Sequence, residues 1–309
     1  MTERRTSTFV EIVLPFIIFT GIWGSTWIVI RDQLGDVPPQ WSVAYRFVIG
    51  AIAMAILAKV KGRSLLLDRQ GMLAALFIGF IQFCVNYNSV YLAERHITSG
   101  VVATISALLL IPNSLLGWAL LGQRPGRRFA IGSAIAVAGI GLLCLHEIRS
   151  NPAPTDEVVV GIGFTLLGLM AASFTNVYQA REQIRRHHLA SLLAWSMAAG
   201  ALIDILFAWA LAGPPTLSAR PGYWLGVFYL GVFASALTFS LYFPVVRKIG
   251  PGKAAYSSVL VPVIAMSFST AIEGYRWNAV AIAGALLTLA GMLVAISRGR
   301  LVVQSPDAA

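Results

Sequence analysis

Ten times along this chain about 20 residues pass with almost no charge among them, and the stretches between are too short to form domains of their own. The runs fall at 10–30, 41–59, 71–92, 98–120, 128–146, 160–180, 189–211, 222–245, 252–273 and 278–297. A bilayer core is about 30 Å thick and a helix rises about 1.5 Å per residue, so each run can cross it. The spacing predicts an all-α polytopic membrane protein of ten transmembrane helices. Composition agrees: 12% of the 309 residues are charged and 57% are hydrophobic, against about 25% charged in a soluble domain. The first run, Phe9 to Ile30, exceeds the 7–15 residues of a signal-peptide core and lacks a clear small-x-small cleavage site, so it reads as a retained span.

The loops carry the orientation. Arg4, Arg5, Lys59, Lys61, Arg63, Arg69, Arg124, Arg127, Arg128, Arg181, Arg185, Arg186, Arg247, Lys248, Lys253, Arg298 and Arg300 fall on one side of the ten runs. Only Arg31, Arg95, Arg149, Arg220 and Arg276 fall on the other, and the remaining one, Arg46, lies about five residues into the second run. Basic loops stay cytoplasmic, so both termini are expected inside, in a multi-pass protein of the inner (cytoplasmic) membrane. The net charge of +10 is thereby a topology signal, and nucleic acid is not an expected partner. Cys84 and Cys144 sit inside apolar runs and indicate neither a disulfide framework nor a metal site.

The chain also repeats itself. Arg95–Leu143 aligns without a gap on Arg247–Ala295, 152 residues on, with twelve identities that include Gly100/Gly252, Gly122/Gly274, Gly132/Gly284 and Gly139/Gly291. The polar, proline-rich connection around Asn151-Pro152-Ala153-Pro154 marks the midpoint, dividing residues 1–150 from 151–309. Five spans per half turn the chain over. The two five-helix repeats are then expected to be inverted relative to each other, as in many secondary transporters that open a central cavity to either side in turn.

These residues also resemble a known family. Ile97-Thr98-Ser99-Gly100-Val101-Val102-Ala103, then Leu121-Gly122-Gln123-Arg124, Ile131-Gly132 and Ala138-Gly139-Ile140, are similar to the second part of an EamA domain of the drug/metabolite transporter superfamily. Ile249-Gly250-Pro251-Gly252, Pro262, Gly274, Gly284 and Ala290-Gly291 repeat it; Trp23-Gly24-Ser25 and Ala44-Tyr45-Arg46-Phe47 resemble its beginning. The chain departs from the family where Gly122-Gln123 replaces the usual Gly-Glu and where the acid precedes the glycine in Glu273-Gly274. The resemblance implies a ten-helix export or exchange carrier for small metabolites, often amino acids, with no cofactor.

In lipid the informative residues are the polar ones inside spans. Arg46 and Asp204 both fall in the outer half of the membrane. Three readings stand: they pair, Arg46 binds an anionic group of the substrate, or Arg46 reaches the headgroups while neighbouring polar groups satisfy Asp204. Gln82 and Asn86 share a face of the third span, either toward substrate or in interhelical hydrogen bonds. Trp23 and Ser25 on the first span, Asn176 and Tyr178 on the sixth, Tyr242 on the eighth and Tyr256 on the ninth complete a candidate midplane pocket for an amphipathic metabolite. Trp41, Trp224 and Trp277 read as interface anchors. Gly132, Gly139, Gly284 and Gly291 read as packing positions, and Gly122 and Gly274 as helix ends or tight turns. Glu94 and Glu273, at the outer ends of spans, read as solvated. No histidine stands with an embedded carboxylate, so neither metal nor catalytic base is expected.

The sequence thus points to a secondary transporter, not an enzyme, moving a small organic metabolite by alternating access, with amino-acid-like compounds and export favoured. Its partners are the substrate and the lipid bilayer, and a homodimer stays open. The rivals are a membrane-embedded enzyme, which would need acids, histidines or a nucleophile gathered at one depth, and a non-transporting scaffold, which would need no polar interior.

Overall fold

The computed structural model describes residues 9–122, 125–249 and 257–296. Nine helices among them are long and apolar enough to cross a membrane: α1 (Glu11–Gln33), α2 (Pro39–Val60), α3 (Arg69–Ala93), α4 (Ser99–Leu120), α5 (Arg127–Ser150), α6 (Thr155–Gln179), α7 (Leu189–Ala212), α8 (Pro221–Tyr242) and α10 (Ala279–Ile296). Between the last two lies a shorter apolar helix, α9 (Ser257–Ile272), of 16 described residues. No strand occurs among the described residues, only an isolated bridge between Leu34 and Val37. The chain is a multi-pass, all-helical membrane protein.

The helices turn their apolar sides outward, as expected in lipid. On α2, Val48, Ile52 and Ile56 are exposed, whereas Ser42, Arg46 and Gly50, each one turn from the next, are buried. On α7, Leu202, Leu206 and Trp209 are exposed while Asp204 and Ala208 are buried. With hydrocarbon outside, burial of apolar surface does little to drive association, and close backbone approach has to supply the packing.

Two sets of glycines supply it. A Cβ built on Gly132 would stand 2.5 Å from the carbonyl oxygen of Gly291, and one on Gly139 would stand 2.7 Å from that of Gly284. As α5 advances α10 recedes, so the two helices run antiparallel with bare backbone at their seam. A second set was not singled out in the sequence. Gly79 on α3 meets Ser196 and Gly200 on α7, and Gly231 on α8 meets Arg46 and Ile49 on α2. Gly50 in turn faces Met197 of α7 and the Gly231 carbonyl.

Helix irregularities have local causes. Proline removes an N–H and its ring crowds the carbonyl four residues back; in α4 the residue four before Pro112 is Leu108, and the helix tightens there to a 3₁₀ turn at Ala107–Leu109. Gly122 (φ 70°) and Gly274 (φ 72°) are left-handed at or just after the ends of α4 and α9, a conformation in which a side chain is strained. They are the helix ends expected from the repeat. α3 and α8 each widen into a π segment, Gly79–Asn86 and Tyr229–Leu237, and the glycines Gly79 and Gly231 at or near their starts lie 152 residues apart.

Loops gather at two ends. At one, Arg220 donates to Asp36 Oδ2 (2.7 Å) and Asp32 Oδ1 (3.0 Å), and the Arg31 Nε stands 3.4 Å from Glu273 Oε1. At the other, Asp68 caps α3 by accepting from Gly71 N (2.7 Å) and pairs with Arg186 (2.7 Å), and Ser191 donates to Ser64 O (2.7 Å).

Candidate functional site

The most demanding side chain in the molecule is Arg46. It stands on α2 between Ser42 and Gly50 and is 1% exposed. Arginine keeps its charge and brings five N–H donors. Here Nε and Nη2 both reach a single acceptor, Ser235 Oγ, at 3.4 Å each, and Nη1 has no partner. Beyond that, the Tyr91 hydroxyl lies within its electrostatic reach, and two rings face it: Cζ lies 4.4 Å from the centre of the Tyr87 ring and 5.4 Å from that of Phe47. A desolvated contact of this kind stabilises by about 2 kcal/mol, well short of the several kcal/mol needed to bury an ion.

Local structure explains how these groups meet. Ser235 lies in the π segment of α8, where its hydroxyl donates to the carbonyl of Leu230, five residues back, at 2.8 Å. π segments occur often at functional sites, because the extra residue re-aims side chains. Tyr87 and Tyr91 of α3 and Glu94, just past its end, follow at i, i+4 and i+7 and so share one face. Tyr91 and Glu94 are both 0% exposed. The Tyr91 hydroxyl donates to Gln33 Oε1 of α1 (3.0 Å), and Gln33 Nε2 has no partner. Helices α1, α2, α3 and α8 thus enclose two buried donor groups, from Arg46 and Gln33, without acceptors. Buried donors without acceptors are rare in folded proteins, and a ligand with acceptor atoms is one way to satisfy them.

Arg46 and Asp204 do not pair. Asp204 is 0% exposed, accepts from Asn88 Nδ2 at 2.7 Å through Oδ1, and leaves Oδ2 without a donor. Asn88 also donates to the carbonyl of Cys84 (2.9 Å), so Asp204 belongs to a small α3–α7 network of its own. Glu94 and Glu273 depart from their solvated reading. Glu94 is fully buried, and the Glu273 side chain is 9% exposed. Glu273 accepts from Ser99 N (3.3 Å), Ser99 Oγ (2.6 Å) and Ser269 Oγ (2.5 Å), and Glu147 accepts from Thr98 N (3.0 Å). Two carboxylates therefore take the otherwise unpaired N–H groups at the start of α4, where the helix dipole also favours them.

The other expected site residues are scattered. Ser25 Oγ and Tyr229 OH are 2.7 Å apart, joining α1 to α8. Trp23 and Tyr242 have ring centres 5.1 Å apart, within an aromatic group that includes Phe19 and Phe239. Gln82 donates to Asn86 Oδ1 (3.2 Å) and accepts from Thr175, while Asn86 donates to Gly168 O (2.7 Å). Both amides thus tie α3 to α6. Asn176 is on the exposed side of α6. Tyr178 packs on Phe77 and under Arg181 at the α6 end. Tyr256 lies outside the described residues. Trp41 is buried against Tyr45 and Trp209 and donates to Gly213 O (3.3 Å), which differs from its anchor reading. No cluster of three or more His, Cys, Asp or Glu able to hold a metal occurs among the described residues.

Comparison with known proteins follows the same outline. The family model described as EamA-like transporter family matches residues 11–145 and 159–297. The chain is 29% identical over 258 residues to a protein of Escherichia coli (strain K12) named "Uncharacterized inner membrane transporter YedA", covering 82% of this chain and 80% of that one. It is 25% identical over 289 residues to a Salmonella typhimurium protein named "Probable amino-acid metabolite efflux pump", covering 88% and 90%. It is 22% identical over 269 residues to Protein PagO of the same organism, covering 86% of each. A crystal structure at 17% identity matches with a TM-score of 0.65 over 91% of this chain and 95% of that one, a likeness of fold.

Proposed function

Because the chain belongs to the EamA-like transporter family, we propose that it is a secondary transporter that exports a small amphipathic metabolite, amino-acid-like, across the inner membrane by alternating access. On this reading ten helices cross the membrane as two inverted five-helix repeats, residues 1–150 and 151–309, with both termini in the cytoplasm. The Asp68 end faces the cytoplasm and the Glu94 end faces outward. The reciprocal approach of Gly132 to Gly291 and of Gly139 to Gly284 supports the inversion. Each pair is the other with its repeat partners exchanged, which is what a two-fold axis across the helices would produce. The matched π segments of α3 and α8 support it as well.

One observation carries the substrate reading: Arg46, buried and charged, with Nη1 unpartnered and its face on Tyr87. A carboxylate can accept two parallel hydrogen bonds from a guanidinium, and the aromatic wall beside it suits an apolar side chain. The amino-acid direction draws on the relative named as a probable amino-acid metabolite efflux pump. The test is efflux of individual L-amino acids from proteoliposomes holding the full-length protein, native or Arg46→Gln. Native protein is expected to transport at least one of them, and the variant to lose ~10-fold or more, about the 1.5–3 kcal/mol of a hydrogen bond to a charged group. Equal transport by a folded Arg46→Gln protein would remove Arg46 from the site.

A further inference from the structure

Glu94 has no role in the site as described, yet like Asp204 it is a fully enclosed acid. It is 0% exposed, and neither carboxyl oxygen receives a hydrogen bond. An ionised carboxylate withdrawn from water and given no donor is among the costliest groups a protein can bury, and such groups neutralise by holding a proton.

The surroundings decide whether a nearby cation could instead hold it ionised. Arg31 on α1 donates to the main-chain oxygen of Glu94, not to its carboxyl, and its Nε lies toward Glu273. Arg46 on α2 is spread over Tyr87 and Ser235. From the end of α9, Glu273 adds negative charge. On its own helix Tyr91 is committed to Gln33, and Tyr223 of α8, in electrostatic reach of Tyr91, is committed to Ser42 at 2.8 Å. Burial, then the Glu273 charge, push the Glu94 carboxyl well above the usual carboxylate range, against the pull of Arg31 and Arg46.

Beside Glu94 stands a closure made by both halves of the chain. Glu273, from the second half, accepts from Ser99 at the start of α4 and stands 3.4 Å from Arg31 of α1, both in the first. Arg31 touches both Glu273 and the Glu94 backbone, so this closure adjoins Glu94.

We propose that Glu94 is a proton-binding site coupled to this closure, taking a proton from outside water when Arg31, Glu273 and Ser99 part and keeping it in the form closed to both sides, in which they are joined. The inference rests on the alternating-access reading above. In a cycle of export, the carboxyl takes one proton from hydronium on the outer side. It carries the proton through the closed form and releases it to cytoplasmic water when the other side opens. The net exchange is one proton inward for one substrate outward, with only O–H bonds of hydronium and the carboxyl broken and formed.

The direct test is infrared absorption of the purified full-length protein in lipid nanodiscs, native against Glu94→Gln, with Asp204→Asn measured alongside. At neutral pH the native protein is expected to show the carbonyl stretch of a neutral carboxylic acid that Glu94→Gln lacks. Glu94→Asp, which keeps the acid on a shorter arm, is expected to show it with a shifted pH midpoint and serves if Glu94→Gln does not fold. If all the neutral-acid absorption persists in Glu94→Gln, or is lost only in Asp204→Asn, the proposal is wrong. Coupling is read in proteoliposomes enclosing a pH dye and loaded with one L-amino acid at a time. Efflux that acidifies the lumen in native protein and leaves it unchanged in Glu94→Gln supports coupling, whereas equal acidification in both overturns it. A panel in which no amino acid moves would count against the substrate reading, while the infrared result would still decide the protonation of Glu94.

Discussion

Replacing Gly291 with alanine tests the claim that α5 and α10 are held by bare backbone. The added Cβ would stand 2.3 Å from the amide nitrogen of Ala136 and 2.6 Å from the carbonyl oxygen of Gly132, where ordinary contact begins at 3.4 Å. Both obstacles are main-chain atoms of a regular helix and cannot rotate away. The helices must part by about 1 Å, and a gap of 0.5–1 Å already forfeits a quarter to a half of each dispersion contact along the seam. Overpacking of this kind costs about 1–3 kcal/mol, and alanine returns up to about 1 kcal/mol through its better helix propensity. Gly141 on α5 is the control, since a Cβ there meets nothing within 4 Å, so Gly141→Ala receives only the favourable part. The assay is reversible unfolding in mixed micelles by added SDS, followed by tryptophan fluorescence. Gly291→Ala is expected to lie about 1–3 kcal/mol below Gly141→Ala, since both receive the propensity gain and only the overpacking separates them. Gly132→Ala combined with Gly291→Ala is expected to cost less than the two singly, because one separation accommodates both methyl groups. Gly79→Ala, which meets Ser196 O at 2.7 Å on the other seam, is expected to add independently. The reasoning fails if Gly291→Ala matches Gly141→Ala within about 0.5 kcal/mol, the usual scatter of additive effects.

Three further outcomes follow from the geometry. Arg46→Lys retains the charge but loses the planar fork and its stacking on Tyr87, so amino-acid efflux is expected to fall nearly as far as with Arg46→Gln; native-like rates would show that a point charge suffices. Asn86→Ala removes the donor to Gly168 O and is expected to destabilise by about 1–3 kcal/mol in the SDS titration while the surviving folded protein transports normally; selective loss of transport would return Asn86 to the binding site. Asp68 is held below the usual carboxylate range chiefly by the hydrogen bond from Gly71, with Arg186 and His187 adding to it. A carboxyl lowered by folding stabilises above its unfolded range and loses that contribution as pH falls through the folded value. The stability gap between native protein and Asp68→Ala should therefore be full at neutral pH and shrink on acidification, and a pH-independent gap would discard the argument.

The sequence made the helices legible because lipid imposes a length, and the glycine repeat legible because backbone contact admits no substitute. Gly122, Gly274 and the α5–α10 seam follow from that repeat. Glu94 was not legible. An acid one residue past a helix end normally meets water, and nothing local records that Arg31 and Glu273, 63 and 179 positions away, meet beside it. Gln82 and Asn86 were correctly placed on one face, but a face alone does not tell whether α6 or a ligand lies across from it. Asn176 shows the same limit from the other side, a polar residue in a span that the fold leaves on the outside. Gly50, Gly79, Gly200 and Gly231 were readable in principle, since Gly79 and Gly231 keep the 152-residue offset, but they fall outside the 49-residue block whose identities announce the repeat.

The interdigitation of the halves has a consequence for the connection between them. α5 locks onto α10, α3 onto α7 and α2 onto α8, each pair joining one half to the other through backbone contacts. The segment at Asn151–Pro154 makes hydrogen bonds along itself, such as Ala153 N to Asn151 Oδ1 at 2.9 Å, and one to the His96 carbonyl of the first half, from Asn151 Nδ2 at 3.3 Å. A covalent tether then mainly sets the concentration of one half near the other. A gene cut at that point and expressed as two polypeptides should yield fragments that find each other in the bilayer and co-purify, which makes the molecule in effect a heterodimer whose subunits happen to be sewn together.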